Sequence, residues 1–129
     1  MNAIEIIHTN DLTVSGAAQN AAVVYLAGLS AGSRRAMRHA LSVVADLAMP
    51  GADPLAFPWG MLRYEHTQAI RTALADRYGT ATANQALSAL RGTLKTTWRL
   101  GQMTAEDYMR AADVRNVTGD KPDQAAGRM

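Results

Sequence analysis

Asn84, Ser88, Arg91, Lys95 and Arg99 recur at steps of four, three, four and four residues. At about 100° of rotation per residue, that spacing lines up an amide, a hydroxyl and three cations along one side of a helix. One position earlier, Ala83, Leu87, Leu90, Leu94 and Trp98 follow the same steps and make a parallel apolar row. The apolar row can dock on a core while the polar row faces outward with hydrogen-bond donors and positive charge. A polar row of this kind is ordinarily a solvated face that mixes both signs of charge for i,i+4 pairing. Here no Asp or Glu stands between Tyr78 and Gln102. That chemistry suits a polyanion.

A second group of cations, Arg34, Arg35 and Arg38 with His39, falls in the first turns of a helix expected over about residues 34–49, with Ser33 as its N-cap. Positive charge at a helix N-terminus opposes the macrodipole, and an external anion would offset that cost. Charge along the chain points the same way. Residues 30–100 carry nine Arg or Lys against four Asp or Glu, a balance of +5, whereas residues 1–29 contribute −2 and residues 101–129 contribute −1. A positive field centred on the folded part favours polyanions such as nucleic acid without specifying which.

No catalytic constellation can be assembled from the remaining residues. His8, His39 and His66 form no i,i+4 pair and no His-Glu-x-x-His, so no metal site is expected. A phosphate loop, a dinucleotide fingerprint and a Gly-x-Ser-x-Gly elbow are all missing. The adjacent carboxylates Glu106 and Asp107 suit helix capping. Catalysis by this chain alone is not expected, and no cofactor is implied.

The 129 residues allow one domain with a real core. Ala and Leu dominate, strand-forming runs are scarce and there is a single Phe, so an all-α fold is expected. With no Cys, disulfides and thiolate chemistry are excluded. No apolar run approaches the roughly 20 residues that span a membrane. The N-terminal stretch has Glu5 and Asp11 but no Lys or Arg, unlike a signal or transit peptide. A cytoplasmic location is therefore the expectation.

Residues 1–16 read as a flexible arm with one extended stretch at Ile4 to Ile7. A first helix is expected over about 17–29, with Ala22, Leu26 and Leu29 inward and Tyr25 beside them. The second helix, over 34–49, should bury Met37, Leu41, Val44 and Ala48, flanked by Ala40 and Leu47. Pro50, Gly51, Pro54 and Pro58 mark a loop in which Phe57-Pro58-Trp59 folds back as an apolar plug. A third helix over 65–78 turns Ile70, Leu74 and Tyr78 inward and ends on Gly79 in the left-handed conformation. The organising helix then begins with Thr80 or Thr82 as cap and stops at Gly101. A short last helix over 105–113 is capped by Thr104, and residues 114–129, with almost nothing to bury, read as a linker.

Three stretches resemble the core-binding domain of tyrosine recombinases, the phage-integrase family. Leu29-Ser30-x-x-Ser33-x-x-x-Met37-x-x-x-Leu41 resembles its opening. Leu62-Arg63-Tyr64-Glu65-His66-Thr67 followed by Ile70-Arg71 resembles the entry to its third helix. Thr80-x-Thr82-x-Asn84-x-x-Leu87-Ser88-x-Leu90-Arg91, with Trp98-Arg99-x-Gly101, looks like its last long helix. The resemblance covers about residues 20–115 and implies a SAM-like bundle of four to five helices over 17–113 that forms one half of a clamp around duplex DNA. It implies DNA contacts from Ser33, Arg34, Arg35 and Arg38 on one helix, and from Thr82, Asn84, Gln85, Ser88, Arg91 and Lys95 on another.

Strand cleavage in that family uses a catalytic domain with a His-x-x-Arg motif and a Tyr nucleophile. No His here is followed by Arg at the third position. The expectation is a DNA-binding fragment, monomeric by itself, of an enzyme that works as a tetramer on DNA. Two other readings stay open. One is a stand-alone helix-turn-helix regulator, for which the joint at Tyr78-Gly79-Thr80 is short enough. The other is a helical protein-interaction module whose basic face is incidental.

Overall fold

The computed structural model describes residues 19–119. The expected arm at 1–16 and the linker beyond residue 119 lie outside the described residues. Within them are five helices and no strand: α1 (Ala21–Ala27), α2 (Ala31–Ala48), α3 (Tyr64–Arg77), α4 (Thr80–Arg99) and α5 (Ala105–Ala111), with a single 3-10 turn at Trp59–Met61. The fold is a small all-α bundle, as the composition predicts.

The central helix is α4, which packs against every other element. Its sequence explains why. Ala83, Leu87, Leu90 and Leu94 are buried as the apolar row predicts, and Ala86, Ala89, Thr93 and Thr97 widen the buried arc. Small residues on that arc let α2 approach closely, through its own buried Ala40, Leu41, Val44 and Ala45. The fifth member of the row departs from expectation. Trp98 remains exposed at the surface and stacks flat on Tyr108 of α5, with ring centroids 5.3 Å apart. Ala48 and Tyr78, both expected inward, are exposed as well.

The caps differ from the sequence reading in an instructive way. Ser30, not Ser33, caps α2: its backbone is extended and its Oγ accepts from the Ser33 N–H at 3.3 Å. The helix therefore begins three residues earlier, and only Gly28, Leu29 and Ser30 separate it from α1. Gly79 is extended (φ −68°) rather than left-handed, and it occupies the N-cap position of α4 in place of Thr80 or Thr82. Two extended residues, Tyr78 and Gly79, make the α3–α4 turn without any positive φ. Gly101 does take the left-handed conformation (φ 78°). Its N–H bonds the Trp98 carbonyl and the Gln102 N–H bonds the Thr97 carbonyl, the paired closure that ends a helix at glycine. Thr104 caps α5 through Oγ1 as predicted, although that helix ends at Ala111.

The proline-rich loop is the expected plug. Phe57 and Trp59 are buried, meet edge to face at 4.7 Å, and Trp59 Nε1 donates to the Pro54 carbonyl at 2.9 Å. A buried Trp59 cannot stack on a base.

Two packing details yield predictions. Tyr25 of α1 lies against the backbone of α4 at Gly92, where an added Cβ would fall 2.9 Å from Cζ of the ring. Burial raises the Tyr25 phenol above its ordinary 10.0, so the ring sits there uncharged at neutral pH. Overpacking of about 1–3 kcal/mol exceeds the roughly 1 kcal/mol that alanine gains over glycine in a helix. Gly92→Ala is expected to lower the urea midpoint, and an unchanged midpoint would show that the ring yields freely. The second detail is the Thr93 hydroxyl, which is buried without a hydrogen-bond partner. Thr93→Val removes an unsatisfied polar atom at near-constant shape, and about 1 kcal/mol of added stability is expected in the same assay.

Candidate nucleic-acid interface

The two helices that carry the cation groups are also the pair that pack most extensively against each other. Neither α2 up to Ala45 nor any part of α4 contains an acidic residue. Four of the seven acids among the described residues are engaged. Asp46 and Asp53 accept from the backbone N–H groups of Gly51 and Leu55 at 2.8 and 2.9 Å. Asp107 pairs with Arg63 at 3.4 Å and Glu106 with Arg110 at 2.7 Å, so both ion pairs among the described residues involve α5. Arg35 and Arg38 on α2, and Lys95 and Arg99 on α4, are exposed with no side-chain partner among the described residues.

The ten residues singled out from the sequence separate into two groups. Ser33, Arg35, Arg38, Thr82, Gln85, Ser88 and Lys95 are exposed, with no hydrogen bond from their side chains to other described residues. Thr82, Gln85, Ser88 and Lys95 follow the outward side of α4, and with Arg99 they span about 25 Å at 1.5 Å per residue. Hydroxyls and Lys position on phosphates, whereas Arg and Gln can also read base edges. These seven remain available to a ligand.

The other three are engaged inside the molecule. Arg34 donates from Nε to the Leu26 carbonyl at 3.0 Å and from a terminal nitrogen to the Leu29 carbonyl at 2.8 Å. Its charge therefore sits at the C-terminal end of α1, where a cation is favourable, and the apparent penalty at the start of α2 has an internal offset. Asn84 forms a reciprocal pair with Val117, accepting its N–H at 2.6 Å and donating to its carbonyl at 2.9 Å. Arg91 donates to the Val114 carbonyl and to Oδ1 of Asn116, each at 2.8 Å.

Those last contacts expose a feature that the sequence reading missed. Residues 111–117 form a strap between α3 and α4 instead of leaving the fold as a linker at residue 114. Val114 is buried and Val117 packs on the core. From α3, Thr67 Oγ1 donates to the Ala111 carbonyl at 2.7 Å, and Gln68 to that of Asp113 at 2.9 Å. Arg71 donates to the carbonyls of Arg115 and Asn116 at 2.8 and 3.1 Å. The available signal was two β-branched apolar residues, Val114 and Val117, three apart in an otherwise polar stretch.

Among the described residues no group of three or more His, Asp or Glu side chains is placed to hold a metal ion. Their helices include none long and apolar enough to cross a membrane. No protein-family model, curated protein or solved structure matches the chain.

Proposed function

We propose that this chain grips duplex DNA as the core-binding domain of a tyrosine recombinase, while a separate catalytic domain cleaves and rejoins the strands. The observation that carries this reading is the acid-free pairing of α2 and α4, with Arg35, Arg38, Lys95 and Arg99 exposed and unpartnered. Thr82, Gln85 and Ser88 add neutral donors along the same outward side of α4. The three sequence stretches that resemble that family coincide largely with α2, α3 and α4. Arg34 takes a structural role in this account by tying α1 to α2.

Titration of the chain onto a labelled duplex by fluorescence anisotropy at several salt concentrations tests the proposal. Four phosphate contacts predict a slope of about −3.5 for log K against log salt. No binding at 50 mM salt would overturn it. The short α3–α4 joint, only Tyr78 and Gly79, supports a second reading as a helix-turn-helix regulator. Recognition would then fall on the first turns of α4, and Thr82→Ala/Gln85→Ala would abolish preference for a particular site. In the clamp reading Arg35 and Arg38 contribute equally with Lys95 and Arg99.

A further inference from the structure

Two of the side chains on the α4 row are already bound, and their ligand is the chain itself. Asn84 and Arg91 hold Val114, Asn116 and Val117 through four hydrogen bonds of 2.6–2.9 Å. Three of the four go to main-chain atoms, so the strap is recognised chiefly as an extended backbone. The valines supply the side-chain part of the recognition: Val114 is buried and Val117 is half-buried on the core. From the other side, Thr67, Gln68 and Arg71 hold residues 111–116 without using any atom of α4. The strap therefore has an anchor on α3 that survives if its α4 contacts are exchanged.

Arg91 has donors in a planar fork, the geometry that matches a phosphate or a guanine edge, and Asn84 presents an amide suited to adenine. Neither can make those contacts while bonded to the strap. We infer that the strap at 113–117 and a nucleic-acid backbone compete for Asn84 and Arg91, so that docking of the strap sets how much of the α4 row is open to DNA. This inference rests on the DNA-binding reading above. With the strap docked, α4 presents Thr82, Gln85, Ser88, Lys95 and Arg99. With its outer end lifted, Asn84 and Arg91 join them and the row is continuous. Whatever pulls on the chain beyond Val117 thereby reaches the DNA face directly.

The test uses the full chain and Val114→Ser/Val117→Ser, which removes the apolar grip without changing charge. A milder variant, Gln68→Ala/Val117→Ser, covers the case in which the first does not fold. Amide hydrogen exchange at residue 117 reports docking, since that N–H is bonded to Asn84 in the closed form. The expected results are protection in the wild type, lost in the variant. Duplex affinity at 50 mM salt should tighten about tenfold in the variant, with a salt slope steeper by about one, as one more cation contact requires. Arg91→Ala placed in the released variant should abolish that gain, because the extra cation contact is then missing.

Different failures are separable. An unprotected Val117 amide in the wild type overturns the strap outright. Equal duplex binding by wild type and released variant overturns the competition and leaves the DNA reading standing. Absence of binding by either protein overturns both.

Discussion

Replacing Trp59 by alanine is expected to remove about 3–5 kcal/mol of stability, the range for deleting a fully buried large aromatic. Trp59 is 2% exposed, closes edge-on against Phe57, and fixes the loop by donating Nε1 to Pro54. The loop itself spans the distance from the end of α2 to the start of α3, so the plug seals one end of the bundle around α4. A domain of about 100 residues has roughly 5–15 kcal/mol in total. The substitution therefore takes a large fraction of the whole, and thermal unfolding followed by circular dichroism should show a fall in Tm of about 15–30 °C. Alanine also leaves the Pro54 carbonyl without its partner, which adds to the loss. A fall of less than about 5 °C would mean that the loop is peripheral and that α4 holds its neighbours without it.

Neutralising the four unpartnered cations of α2 and α4 is the second large effect. In Arg35→Ala/Arg38→Ala/Lys95→Ala/Arg99→Ala the salt slope should flatten from about −3.5 to near zero, and duplex affinity at 50 mM salt should fall by at least about 100-fold. None of the four side chains takes part in a hydrogen bond or ion pair among the described residues, so the fold should survive intact. Arg110→Ala serves as the control. It also removes a cation, but one already paired with Glu106, and it should leave both slope and affinity close to the wild type. Similar losses from Arg110→Ala and from the quadruple variant would reduce the effect to net charge and remove any claim to a face. Because the two α2 cations and the two α4 cations lie on separate helices, the paired substitutions should each account for about half the slope. A slope governed by the α4 pair alone would confine the interface to one helix.

The helices were legible in the sequence because the apolar positions repeat with the period of the helix. Ala83, Leu87, Leu90 and Leu94 are inward for that reason, and so are Leu41, Val44, Ile70 and Leu74. The period fails at Trp98, where the α4 surface runs out of core and the indole finds Tyr108 instead. Helix starts were less legible. Ser30 and Ser33 are equally good caps in isolation, and the choice depends on Arg34 reaching back to the carbonyls of Leu26 and Leu29, a contact across the turn. Gly79 illustrates the same limit: glycine permits the left-handed conformation but does not impose it.

The candidate site was legible as a charge pattern and not as a set of available groups. Periodicity places Asn84, Ser88, Arg91 and Lys95 on one row, and the row exists. It cannot say that Asn84 and Arg91 are bonded to residues 33 and 23 positions away in the chain. The strap that engages them escaped because most of its hydrogen bonds join side chains to main-chain atoms. Such bonds place almost no demand on residue type in the strap itself. A stretch reading Asp-Val-Arg-Asn-Val looks like solvent-facing linker until α3 and α4 bring Arg71, Asn84 and Arg91 around it.

The central claim is that the outward sides of α2 and α4 contact duplex DNA, and amide chemical-shift mapping tests it most directly. A 15N-labelled chain titrated with a short duplex at 50 mM salt should show shifts concentrated at residues 33–39 and along Thr82, Gln85, Ser88, Lys95 and Arg99. The plug at Phe57 to Trp59 and the ion-paired Glu106, Asp107 and Arg110 of α5 should stay in place. Shifts centred on the α5 surface, or a spectrum unaltered by a molar excess of duplex, would contradict the account.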